Sequence, residues 1–182
     1  MTKPWISVGI AVVAVAGTVI AFWPHGAPPP SPDVAQQDSP VRGLTAQEVE
    51  DLRAGRGAGF ARTAELNSYP GPRHVLDMAA DLDLDAEQRR TTERIFAGMQ
   101  AAAKRLGAEI LAREQALSAA FAGRRVRPDA LDLESAAIGT LYGRLRAVHL
   151  RAHLELTAIL RPDQITRYDE LRGYHAGDGH AH

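Results

Sequence analysis

The chain has 182 residues, 45% of them apolar and 24% charged, with a formal net charge of −1 and no cysteine. The missing cysteines exclude disulfides, thiolate metal ligands and thiol nucleophiles, and the near-neutral charge argues against a basic surface built to grip nucleic acid. Aromatics are only 5% and alanine is abundant, a profile that favours helices over sheets in one modest domain with extras.

The first element is "WISVGIAVVAVAGTVIAFW", which runs from Trp5 to Trp23 without a charge. As a helix it reaches roughly 28 Å, close to the apolar thickness of a bilayer. Trp5, Phe22 and Trp23 stand at its ends, where interfacial aromatics belong, and Lys3 precedes it. Residues 1–23 are expected to be an N-terminal transmembrane anchor. A cleaved signal peptide is the rival reading, disfavoured by the length of the apolar run and the prolines after it. Either reading puts the rest of the chain outside the cytoplasm. Residues 24–42 are rich in proline and predict an extended, polyproline-like spacer.

Helical signals follow. Thr45 and Glu48 form a capping box, with Leu44 placed as a staple, and the glycines at 55, 57 and 59 weaken that helix's continuation. Pro70 and Pro72 force a turn, and Pro72 opens a short helix through about Leu82. Asp85 and Gln88 form a second box. Beyond it Ile95, Phe96, Met99, Ala103, Leu106, Ile110, Leu117 and Phe121 make one stripe on a long helix that stops at Gly123. Pro128 opens the next, with a stripe of Leu131, Ile138, Leu141, Leu145, Val148, Ala152, Leu156 and Ile159. A final short helix starts near Pro162 and ends before Gly173. The fold expected is all-α: a long antiparallel helical hairpin with short flanking helices over residues 43–173, after the one transmembrane helix. Two helices cover only part of each other's apolar faces, so the short helices or a second copy must complete the core, and a homodimer is expected.

His149 and His153 stand four apart, on one face of the second long helix. His149 falls inside the apolar stripe and His153 at its edge. Folding the hairpin about residue 125 brings them to the level of Met99. A second pair four apart, His74 and Met78, lies on the short helix before the long one. Imidazole suits zinc, nickel, cobalt or copper, and thioether suits copper(I). A divalent transition metal is therefore the expected ligand, with none required for folding. The bland alternative is a core histidine and methionine filler. "HLRAH" is no zinc-protease motif, since Leu150 stands where the general-base glutamate would be. The tail from residue 174 adds His175, His180 and His182 among glycines, a tract able to hold a metal loosely. Arg124, Arg125 and Arg127 cluster at the hairpin tip and with Arg73, Arg89 and Arg90 could make a basic surface for unfolded or acidic clients, the bland alternative being a solvated turn. No catalytic constellation stands out, so an enzyme is not expected.

"LDAEQ" at 84–88 and "LRPDQ" at 160–164 echo one another, each with a staple leucine and a capping glutamine. With the anchor, the spacer and the hairpin pattern, these segments resemble the Spy/CpxP-like envelope proteins, which carry two Leu-Thr-x-x-Gln motifs at helix starts. Asp85 and Arg161 replace the threonine. The resemblance spans roughly residues 44–174 and implies a periplasm-facing, inner-membrane helical hairpin that forms curved antiparallel dimers. It implies heavy-metal sensing or resistance, as in sensors of the CnrX kind, with a membrane regulator of the anti-sigma type as partner. The alternative it implies is an ATP-independent holdase chaperone for unfolded clients in the envelope stress response. The metal-sensing members combine a His-x-x-x-His pair, a glutamate and a His-x-x-x-Met pair. Here the order of the pairs is reversed, and no glutamate stands at the matching place on the first long helix.

Overall fold

A computed structural model describes residues 31–174, and all its regular elements are helical. Six α-helices follow in order: α1 (Ala46–Ala54), α2 (Arg62–Glu65), α3 (Pro72–Asp77), α4 (Ala86–Ala122), α5 (Pro128–Thr157) and α6 (Pro162–Arg172). Among the described residues no helix is long and apolar enough to cross a membrane. The expected anchor at 1–23 and the histidines at 175, 180 and 182 lie outside them.

The helix ends follow local chemistry. Thr45 Oγ1 accepts from the Glu48 amide at 3.1 Å while the Thr45 amide donates to Glu48 Oε2 at 2.7 Å, closing the box on α1. Gly55 ends α1 at φ 65°, a left-handed conformation that glycine enters without a Cβ penalty. On α4, Asp85 Oδ1 accepts from the amides of Glu87 and Gln88, each at 2.8 Å. Pro128 and Pro162 open α5 and α6 at positions where a missing N–H is harmless.

The spacer ends earlier than the prolines suggest. Residues Pro32–Gln36 form a 3-10 turn and Val41 is buried, so the compact unit begins at Pro32 and not at residue 43.

α4 packs along α5. Gln88 Nε2 donates to the Ile159 carbonyl at 3.0 Å near one end, and Arg113 Nη1 donates to Glu134 Oε1 at 3.0 Å nearer the other. These contacts put the midpoint of the connection between Gly123 and Arg124, so Met99 lies almost level with His149. α1 and α3 lie against this pair. One core cluster joins Leu52 to Ala103, Ile110, Leu141 and Leu145, and the other joins Val75 and Leu82 to Leu156, Leu160 and Tyr168. The Leu52 carbonyl occupies the space that a Cβ on Gly107 would need, so α1 crosses α4 at a glycine. Beyond Ile110 and before Ile138 no described residue is buried. Phe121, expected on the core stripe, is 57% exposed, and among the described residues no third helix reaches that end.

Candidate functional site

α5 carries the two histidines four apart, and both are buried: His149 is 2% and His153 5% exposed. His153 was expected at the rim of the stripe. It is interior because the segment leading into α3 closes over it. Its Nδ1 lies 2.8 Å from the Tyr69 carbonyl. A carbonyl only accepts, so Nδ1 carries the proton, and in the neutral ring Nε2 is the nitrogen with the lone pair.

His149 lies under the loop "GRGAGF" that leaves α1. The Phe60 ring stacks on the imidazole, with centroids 6.1 Å apart and planes 11° from parallel, and a Cβ added at Gly57 would lie 3.8 Å from Nδ1. Arg56 ties this loop back to α1 through Asp51 at 2.8 Å and Glu50 at 3.1 Å. His149 Nε2 is buried with no hydrogen-bond partner. Burial, and then the neighbouring His153, holds its pKa below the ordinary histidine value, so the ring is neutral.

The two imidazoles form part of the wall of a cavity of about 500 Å³ between the loop, the start of α3 and the long helices. His74 and Met99 line the same cavity. His74 is half-buried. Burial and then Arg172 lower its pKa, against an opposing pull from Glu65. Met78 does not join them. It caps the C-terminus of α3 and packs on the cluster of Val75, Leu82 and Leu156. The four-residue spacing from His74 implies a shared face only if the helix continues, and α3 ends at Asp77.

Glu65 is a cavity residue that the sequence reading missed. Its Oε2 accepts from the Tyr168 hydroxyl at 2.6 Å and from the Tyr174 hydroxyl at 3.2 Å. Its Oε1 faces Gly71: a Cβ built there would lie 2.5 Å from Oε1 and 3.0 Å from the His153 Cε1 atom. The carboxylate and the imidazole thus flank one glycine. Tyr168 is fully buried and also accepts from the Gly71 amide at 3.3 Å; burial and the Glu65 carboxylate push its phenol well above the ordinary tyrosine value. The only local signal was the acid's place just before "NSYPGP", the turn that brings Gly71 to it.

No group of three or more His, Asp or Glu side chains converges as a ready metal cage among the described residues. The expected joining of both four-apart pairs into one constellation is therefore reduced to the imidazoles of one helix, with His74, Met99 and Glu65 around the same space. No known family, curated protein or solved structure is similar enough to this chain to match it.

Proposed function

We propose that the chain is a membrane-anchored, periplasm-facing metal-binding protein that acts in metal sensing or resistance, with His149 and His153 as its first two ligands. One observation carries the reading: a buried His149 Nε2 has no partner, beside a His153 whose Nε2 lone pair is left free by the Tyr69 carbonyl. A backbone acceptor on the far ring nitrogen is the usual way a ligating histidine is oriented. Leaving a buried acceptor unsatisfied costs about 1–3 kcal/mol, which a metal bond would remove. Met99 and His74 line the same cavity and are the further donors. Imidazole with thioether suits late first-row ions, copper among them.

The architecture behind this reading is an antiparallel helical hairpin, supported by the Gln88–Ile159 and Arg113–Glu134 contacts across the long helices. A ligand shared between α5 and Met99 of α4 favours the arrangement in which both reach it, and so shifts the population of packings. A membrane regulator of the anti-sigma type is the partner that would read the shift, and a homodimer is the assembly.

The test is a competition titration of the full chain carrying His175→Ala, His180→Ala and His182→Ala against a chromophoric chelator, with zinc(II), nickel(II) and copper(I). One ion per chain is expected, with affinity reduced about 10–100-fold or more in His149→Ala and in His153→Ala. Unchanged binding when both histidines are replaced would overturn the reading.

A holdase is the second reading, and the far end of α4 and α5 favours it. A groove of about 640 Å³ opens there over Ala116, Leu117 and Leu131, and Phe121 and Leu133 on the same two helices are exposed, the latter 74%. A holdase would suppress aggregation of a model client equally well with a chelator present; no suppression removes this alternative.

A further inference from the structure

The charges around the cavity are not those of a simple cation trap. Arg56 and Arg73 line it but are neutralised, by Asp51 with Glu50 and by Asp77. Arg62 and Arg172 also line it, both exposed at its rim, and neither pairs with a carboxylate among the described residues. Arg172 instead donates to the Tyr174 hydroxyl at 3.0 Å and lies over that ring at 5.5 Å, which holds its position. Among the described residues the one acidic lining residue is Glu65, which accepts from the Tyr168 and Tyr174 hydroxyls. The rim therefore carries two guanidiniums against the single Glu65 carboxylate, beside His74 and over a floor that includes Phe96 and Met99.

We infer that this cavity binds a small organic anion, a carboxylate on an apolar body, with Arg62 and Arg172 anchoring the carboxylate and Phe96 receiving the body. A volume of about 500 Å³ falls within the range of small-molecule sites, which are mostly apolar with a few placed polar groups. Guanidinium is the side chain suited to a planar carboxylate, which it meets with two parallel N–H bonds. Partial enclosure strengthens that attraction relative to open water. The inference goes beyond metal binding and does not depend on it: the arginines stand at the rim, the α5 imidazoles in the buried wall.

The experiment is calorimetric titration of the full chain with benzoate, benzamide and inorganic phosphate, in chelator. Benzoate is expected to bind at one per chain, at least tenfold more tightly than the uncharged benzamide. Arg62→Gln and Arg172→Gln should each weaken benzoate about tenfold while leaving the thermal midpoint unchanged, and Arg62→Gln should leave the metal titration unchanged as well. Replacing His149 with alanine should weaken metal binding about 10–100-fold or more and leave benzoate binding in place, so the two readings fail separately. Equal affinity for benzoate and benzamide, indifference to both arginine variants, or binding of phosphate without benzoate would each overturn the inference.

Discussion

Gln88 and Gln164 hold one another across the base of the molecule. Gln88 Nε2 donates to Gln164 Oε1 at 2.8 Å and Gln164 Nε2 donates to Gln88 Oε1 at 3.0 Å. Each oxygen also closes its own helix's box, taking the amide of Asp85 at 3.2 Å and of Arg161 at 2.9 Å. Gln164 adds bonds to the carbonyls of Leu82 and Asp83 at 3.1 and 3.2 Å. Both side chains are buried, so removing one strands its partner's polar atoms. Gln88→Ala and Gln164→Ala should each cost about 1–3 kcal/mol. The double variant should cost less than the two together, with a coupling of about 1 kcal/mol or more by urea denaturation. Strict additivity would mean that the two amides act only as separate caps.

That clasp marks the boundary of what the sequence discloses. Each box was legible, because capping is local: a cap residue and an acceptor three positions on. The leucines before them were legible as staples, and Leu84 and Leu160 do share one cluster. The meeting of the two glutamines was not, because it depends on where α6 returns against the start of α4. Likewise the spacing of His149 and His153 and the stripe carrying Met99 follow from helical period. Glu65, Tyr168 and Gly71 come from three segments with no periodic relation, and only the folded chain brings them together.

Gly107 offers a direct test of how α1 is seated. A methyl group there would collide with the Leu52 carbonyl, a backbone atom that moves only if α1 moves. Gly98 and Gly139, also inside long helices, have nothing within 4 Å of an added Cβ. Gly107→Ala should therefore destabilise by about 1–3 kcal/mol, the usual cost of overpacking. Gly98→Ala and Gly139→Ala should each stabilise by up to about 1 kcal/mol through helix propensity. Thermal midpoints moving in opposite directions are the expected outcome; a shift of the same sign for Gly107 would mean that α1 does not press on α4.

Acid should loosen the metal-free chain. His149 has a pKa lowered by burial and by His153, and His74 one lowered by burial and by Arg172. Between the lowered folded values and the unfolded value near 6.5, the unfolded chain holds more protons. Stability therefore rises with pH through that window and falls as pH drops below about 6.5. Measured in chelator, the urea midpoint should decline from about pH 7 to pH 5, and His149→Asn should show a shallower decline. An unaltered slope in that variant would show that His149 does not contribute.

Gly71 tests the site without removing a ligand. Its φ of −88° suits any residue, so alanine is acceptable to the backbone. Its methyl group, however, would fall between Glu65 Oε1 and the His153 ring, 3.4 Å from Nε2. One of them must turn away, and the Tyr69 carbonyl restrains the imidazole while two phenols restrain the carboxylate. Gly71→Ala should lower metal affinity about 10–100-fold, the size of effect seen when ligand orientation is disturbed. Overall stability should fall by no more than about 1–3 kcal/mol, because the contact is with side chains and not with backbone. Full affinity in Gly71→Ala would argue that His153 Nε2 is not a ligand, whatever His149 does.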